Sequence, residues 1–343
     1  MSAFALEREL PLLRTPDCNA PGDRDAIRSA AMESAARAAA QGRPQPSPAM
    51  VVVAFGQKLS PELLRGLFAV NLHGSLLPRW RGAAPVQRAL MEGDDVTGIS
   101  VIALAERMDA GAVFAMEPYA IGAEQTAGEL HDALADLGPA VMASVLAGWR
   151  HGHAEPRAQD ESRATRARKL SRADAWVDLS MDAHRVRARV NGLNPWPGCA
   201  IAVDGAALAV RRCVEVTGNA PPVGMLLPDG TLGCGHGAVR LLEVQAPGGK
   251  AMAFREWARG ARLAGEARVY GQPSAITGEL VAAEIVLAES LPDEASPESV
   301  RAAALTACRD ALEPHAVPRI LDLVKRITTT SAGKTSRRPA VVR

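Results

Sequence analysis

The chain has 343 residues, and at roughly 150 residues per domain that length calls for two domains with room for an appended segment. Its 39 Lys/Arg against 38 Asp/Glu leave a formal charge of +1, which excludes a polybasic binder and confines any nucleic-acid contact to a local patch. A composition 48% hydrophobic but only 3% aromatic points to a globular core built from small side chains.

No apolar run approaches the ~20 residues needed to span a bilayer; the longest is 49–56. The first ten residues carry Glu7 and Glu9, with no basic start and no apolar stretch behind it, so the chain reads as soluble and cytoplasmic. Cys18, Cys199, Cys213, Cys234 and Cys308 are odd in number and scattered, with no Cys-x-x-Cys pair. They read as free thiols, and neither a disulfide framework nor a metal site is expected.

In chain order, an Ala-rich stretch over 25–42 predicts a helix that stops at the Pro-rich breaker 44–48. The unbroken run 50–55 predicts a strand buried on both faces. Ser60-Pro61 caps a short helix, 67–72 is a second strand, Pro85 opens a helix through Met91, and 98–104 is a third strand. Strands alternating with helices imply a parallel sheet with right-handed crossovers. A strand over 112–121 and a capping box, Thr126-x-x-Glu129, come next. The helical region behind that box reaches Trp149, with a predicted interruption at Gly138-Pro139.

The composition then changes. Residues 150–172 hold seven Lys/Arg against Glu155, Asp160 and Glu161 and almost no large apolar residue, the pattern of a solvated basic hinge. A helix over 181–192, the turn Asn194-Pro-Trp-Pro-Gly198 and strands over 199–203, 207–216, 224–227 and 238–244 follow, with turns at Asp204-Gly205 and Pro228-Asp-Gly230. Short strands with close turn signals suggest a small antiparallel barrel. Beyond a helix over 254–262, the last segment predicts strands over 280–287 and 319–324 around a helix capped by Ser296-Pro297.

The chemistry concentrates in Asn71-Leu-His-Gly-Ser-Leu-Leu-Pro-Arg-Trp-Arg-Gly-Ala-Ala-Pro85, where a parallel strand gives way to its loop. In open α/β sheets that edge binds ligands. Asn71 and His73 are two apart and share a strand face, a carboxamide and an imidazole suited to polarising one carbonyl. The next strand runs on to Arg107-Met-Asp109-Ala-Gly111, and its parallel course would bring Asp109 to the same edge as a partner for the imidazole.

These two blocks, with the Asn194-Pro-Trp-Pro-Gly198 turn, resemble the folate-dependent formyltransferases, most closely the branch that acts on methionyl-tRNA, from about Ala5 to Gly265. The resemblance implies an α/β fold, an incomplete doubly wound parallel sheet followed by a small antiparallel β-barrel and a small α+β tail. It divides the chain into a catalytic domain (1–149), a linker (150–172), an OB-like barrel (173–265) and the tail (266–343). It implies transfer of a formyl group from 10-formyltetrahydrofolate, without a metal, to initiator methionyl-tRNA. Asn71, His73 and Asp109 take the catalytic roles, and Ser75, Leu76, Leu77, Pro78, Phe55, Gly56 and Gln57 line the folate site. Arg168-Lys-Leu-Ser171 and Ala246-Pro-Gly-Gly-Lys-Ala-Met252 favour the tRNA branch by resemblance. An amino-sugar nucleotide or other small amine as the acceptor, or a truncated non-catalytic fusion module, are the competing readings.

The family opens with a glycine-containing strand–helix–strand unit and a basic tRNA-gripping loop, and the resemblance joins it later, with 5–13 matching a subsequent helix and strand. The strand over 50–55 is therefore expected to carry an unpaired edge, which a partner chain could complete. The tail, through Gly271-Gln-Pro and Thr277-Gly-Glu279, Leu312 to Arg319 and Thr330-Ser-Ala-Gly-Lys334, resembles the C-terminal lid of AMP-forming acyl-CoA synthetases. Lys334 matches the lysine that contacts the acyl-adenylate in that family. Gly333-Lys334-Thr335 is no P-loop, because Thr328 stands where the first glycine is required.

Overall fold

In a computed structural model the structure describes residues 2–43, 47–203, 206–261, 267–274, 278–285, 297–311, 317–318 and 320–323. They fall into two compact units, the first covering Met1–Met225 and Leu232–Ala251.

The first unit opens with α1 (Ser2–Glu7) and the 20-residue α2 (Pro21–Ala40), which begins earlier than its periodicity suggested because Pro21 stands at its first turn. Residues 8–13 form no strand. The sheet is built from β1 (Ala49–Val53), β2 (Phe68–His73), β4 (Val96–Ala103) and β5 (Val113–Ala120), in the order β1-β2-β4-β5. Between β1 and β2 lies α3 (Pro61–Leu64), whose first turn is capped by the Ser60 hydroxyl accepting from Leu63 N at 3.2 Å.

β1 and β2 pair in parallel, from Ala49↔Phe68 to Val53↔Leu72. The expectation of an all-parallel sheet fails at the next strand. β4 pairs with β2 antiparallel, His73 opposite Ser100 and Val70 opposite Ala103, and β5 pairs with β4 antiparallel as well. The connection explains the reversal. After the two-residue β3 (Arg81–Gly82), α4 (Pro85–Met91) is 7 residues long, about 10 Å at 1.5 Å per residue. The loops on either side of it stay at the end where β2 stopped, with Leu77 N on Ser100 Oγ and the Trp80 indole on Asp94, so β4 starts from there.

β1 is the terminal strand of this sheet among the described residues, as the unpaired-edge expectation required. It is not buried on both faces: Val51 and Val53 are exposed, because α2 contributes no buried residue. Helix α5 (Ala127–Arg150) covers the sheet with Leu130, Leu134, Met142, Val145 and Trp149. Leu130 and Leu134 pack with Val86, Leu90 and Ile99, while Met142 and Val145 pack with Val70 and Val101. The Thr126/Glu129 capping box is formed. The helix runs through Pro139 without the predicted break. An internal proline costs about 3 kcal/mol, whereas each large buried side chain on this face returns about 1.5–3 kcal/mol, so the buried stripe prevails.

The same unit continues through β6 (Arg166–Ala167), which pairs with β3, and α6 (Ala183–Gly192) into an antiparallel sheet. There β8 (Ala206–Val216) lies between β7 (Cys199–Val203) and β10 (Ala238–Gln245), and β9 (Thr231–Gly233) precedes β10 in the chain. Asn191 is fully buried against this sheet, its amide donating to Cys213 O (3.0 Å) and its oxygen accepting from Cys213 N (3.1 Å). Residues 224–227 form no strand; Gly224 N and Gly233 N bond across a loop instead. The turn at Pro228-Asp-Gly230 is present, and the one predicted at Asp204-Gly205 lies outside the described residues. All five cysteines are free, and burial pushes the Cys199 thiol up to about 11.

The second unit holds β11 (Met252–Ala253), α7 (Phe254–Ala261) and a three-stranded sheet in the order β12-β13-β14: β12 (Ala267–Ser274), β13 (Gly278–Ile285) and β14 (Ile320–Leu323). Helix α8 (Pro297–Ala311) lies between the last two in sequence. β12, which its Gly-Gln-Pro content obscured, pairs antiparallel with β13. Ser296 and Lys334 lie outside the described residues. No described helix is long and apolar enough to cross a membrane.

Candidate active site

β2 ends in two polar side chains. Asn71 is half-buried and His73 is 6% exposed. The imidazole is held by its Nε2, which donates to Trp80 O at 2.9 Å, leaving Nδ1 as the nitrogen that turns toward Asp109. Nδ1 and Asp109 Oδ2 are 3.7 Å apart, beyond a direct hydrogen bond.

The loop behind His73 is tied down residue by residue. The Ser75 hydroxyl donates to Arg79 O at 2.6 Å, and Ser100 Oγ donates to Ser75 O while accepting from Leu77 N. Ser100 is the partner of His73 across the sheet, so the ladder itself delivers the hydroxyl that shapes the loop. Trp80, at φ +65, is buried with its N–H on Thr165 Oγ1 and its indole Nε1 on Asp94.

Asp109 reaches the imidazole by a different route from the one the sequence suggested. Because β4 is antiparallel, it ends beside the start of β2, with Leu104 N bonded to Ala69 O. The 104–112 loop must then fold back over the sheet to bring Asp109 to His73. Gly111 makes the fold possible: a Cβ there would lie 1.7 Å from Ala103 O. Asp109 has φ +53, and its Oδ2 accepts from Gly82 N at 2.9 Å. Gly82 is itself obligatory, with φ +126 and a Cβ position 2.5 Å from Ala167 O, where β3 presses on β6.

The segment over 150–172 is therefore not a solvated hinge. Gln159 donates to Asp109 O and Gly111 O, and the buried Arg81 binds Gln159 and Glu161. Hydrogen bonds from Arg81 and then Arg107 hold the Glu161 carboxyl down to about 2. That contribution is complete above the ordinary value of 4.5 and is lost as pH falls from there to about 2. The stability gap between the wild-type chain and Glu161→Gln is expected to close over that window in urea titrations, from a small starting value because Glu161 is half exposed. Nothing in the polar composition of 150–172 signalled these contacts, which span 48 to 85 residues of sequence.

Of the residues read as a folate site, Ser75 and Leu77 are buried and Leu76 and Pro78 half-buried. Phe55 is 47% exposed and, two residues past Val53, leaves the sheet at the edge where β2 ends. Gln57 turns toward the N-terminal segment, accepting from Cys18 N and donating to Pro16 O. Among the described residues no cluster of three His, Cys, Asp or Glu could hold a metal.

The chain matches the Formyl transferase family over residues 19–146, the Formyl transferase C-terminal domain over 169–262 and the AMP-binding enzyme C-terminal domain over 264–334. Methionyl-tRNA formyltransferase of Afipia carboxidovorans is 41% identical over 235 residues, covering 66% of this chain and 75% of the relative. That of Methylococcus capsulatus is 35% identical over 269 residues, covering 77% and 82%. Among solved structures, the sugar 3N-formyl transferase WlaRD, crystallised with dTDP and 5-N-formyl-THF, superposes with a TM-score of 0.54 at 9% identity, covering 70% of this chain and 79% of its own. HypX from Aquifex aeolicus reaches 0.52 at 15%, covering 94% and 58%. These likenesses show the fold alone, whereas sequence identity across three quarters of the relatives decides the family. With the Asn71/His73 strand end and the refolded Asp109 loop on one site, the chain belongs to the methionyl-tRNA formyltransferase family.

Proposed function

We propose that the chain transfers the formyl group of 10-formyltetrahydrofolate to the α-amino group of initiator methionyl-tRNA in the cytoplasm, with Asn71, His73 and Asp109 as catalytic residues. The observation that carries the catalytic part is the approach of Asp109 to His73, made by a loop that doubles back across the sheet and is held there by Gly82 N on the Asp109 carboxylate, by Gln159 on Asp109 O and Gly111 O, and by Glu161 on Arg107. So constrained a carboxylate beside an imidazole is costly to build for packing alone.

The residues suit the folate. A flat heterocycle needs apolar walls with a few polar groups between them. The exposed Phe55 ring, Leu76 and Pro78 supply walls at the edge where Asn71 and His73 stand. When bound there, 10-formyltetrahydrofolate supplies an activated one-carbon unit. Asn71 donates to the formyl oxygen as negative charge builds on it, and so does His73 through Nδ1–H when the ring is protonated; one such donor is typically worth about 2.7–4 kcal/mol of barrier. Asp109 takes the proton that the amine sheds as its bond to the formyl carbon forms. That proton is passed to the folate nitrogen whose bond to the same carbon breaks. An α-amino group with an ordinary pKa of roughly 7.7–8.0 is sufficiently neutral at pH 7 to attack.

The exposed Arg168, Lys169 and Arg172 lie on the segment that braces the site, placed to follow tRNA phosphates. We read the antiparallel sheet of β7, β8 and β10 as one side of an OB-like barrel, and keep 1–149, 150–172, 173–265 and 266–343 as the functional divisions. The purified chain is expected to formylate Met-tRNA in a folate-dependent reaction and to leave an amino-sugar nucleotide untouched, read as a mass gain of one formyl group on the product. Formylation of the sugar in preference to Met-tRNA would overturn the substrate; none on either amine would overturn the function.

A further inference from the structure

The Asp109 carboxylate is carried on a left-handed residue, φ +53, a conformation that Asp tolerates but that its surroundings must hold. One side-chain amide does most of the holding. Gln159 Nε2 donates to Asp109 O at 2.8 Å and to Gly111 O at 2.7 Å, gripping the loop on either side of Ala110. Its Oε1 accepts from Arg81 Nε at 3.0 Å and Nη2 at 2.7 Å. Arg81 is fixed in turn by both oxygens of Glu161, and it precedes Gly82, whose N–H donates to Asp109 Oδ2. The contacts close a ring, from the carboxylate through Gly82 and Arg81 to Gln159 and back to the Asp109 backbone.

We infer that Gln159 is a positioning residue for formyl transfer: it sets the Asp109 carboxylate against His73 without touching the reacting atoms. The inference rests on the catalytic role proposed for Asp109. The ring needs a side chain that donates two hydrogens to carbonyls and accepts from a guanidinium at the same time, and a carboxamide does both. An ionised glutamate of the same shape keeps the acceptor for Arg81, loses both donors and sets negative charge against two carbonyl oxygens. Gln159→Glu thus cuts the grip on the loop while leaving Arg81 its partner.

In the full-length chain, Gln159→Glu is expected to lower kcat by about 10²-fold, since displacement of a reacting group by ~1 Å costs that much. KM for the folate and for Met-tRNA should stay within about threefold, because no ground-state contact is removed. The residual single-turnover rate of Asp109→Ala should change by less than about twofold when Gln159→Glu is added, because the two act through one group. Gln159→Leu should repeat the pattern and replaces the glutamate variant if that variant does not fold. A Gln159→Glu kcat close to wild type, a loss that recurs undiminished in the Asp109→Ala background, or one that tracks only the fraction of folded protein would overturn the inference. A wild-type chain that formylates nothing, or an Asp109→Ala variant as fast as wild type, would overturn the role beneath it instead.

Discussion

His73→Ala is expected to lower kcat for Met-tRNA formylation by about 10²–10³-fold, the usual cost of losing one donor to a developing oxyanion. Its ring sits at the meeting point of three segments: β2 carries it, Trp80 O holds its Nε2, and Asp109 faces its Nδ1. Alanine removes the nitrogen that meets the developing charge and leaves the Trp80 carbonyl without its donor. The second effect costs about 1–3 kcal/mol of stability if that oxygen stays dry, so activity must be corrected for folded protein. His73→Gln separates the two, because a carboxamide can still donate toward Trp80 O but cannot carry the positive charge of a protonated ring. The expected pattern is a stability nearer wild type for His73→Gln with a rate as low as that of His73→Ala. A glutamine variant as fast as wild type would remove the charged imidazole from the mechanism.

The largest expected loss of stability comes from Gly111→Ala. The added Cβ would stand 1.7 Å from Ala103 O and 2.7 Å from its carbonyl carbon, both backbone atoms of a strand whose N–H is already bonded to Ala112 O. No rotamer change relieves such a clash; the loop or the β4–β5 pairing must move. A cost of at least about 3 kcal/mol follows, in the upper range of single substitutions. For a unit of this size that lowers Tm by roughly 6–12 °C. Gly42→Ala is the control: its φ of +69 is also left-handed, but no heavy atom lies within 4 Å of the new Cβ. It should cost only about 1–2 kcal/mol. Because Asp109 is two residues from Gly111, the Gly111 variant should lose formylation even where it stays folded. Equal melting shifts for the two variants would show that the close approach to Ala103 is not rigid.

The site was legible where its chemistry is written in consecutive residues. Asn71, His73 and Asp109 stand in two short blocks, of whose glycines Gly82 and Gly111 are required by backbone contacts, and the capping box of α5 formed where its spacing placed it. The topology that joins the blocks was not legible. Strand alternation suggested parallel pairing, and only the contacts that keep the 74–95 connection at the end of β2 make β4 run the other way. The expected meeting of Asp109 and His73 was right for a wrong reason: a reversed strand carries the loop away from the imidazole, and Gly111 lets it return.

The sequence by itself determined the local chemistry: which residues can donate, accept or turn a chain, and where a helix begins. These depend on neighbours within a few positions, and the chain states them directly. Tertiary structure alone decided which segment braces the site. Gln159, Glu161 and Thr165 show no periodicity, because a hydrogen bond made across 50 to 85 residues depends on where the chain returns in space. It also decided that α5 runs through Pro139, since the stripe from Leu130 to Trp149 gains more by staying on the sheet than one missing backbone donor costs.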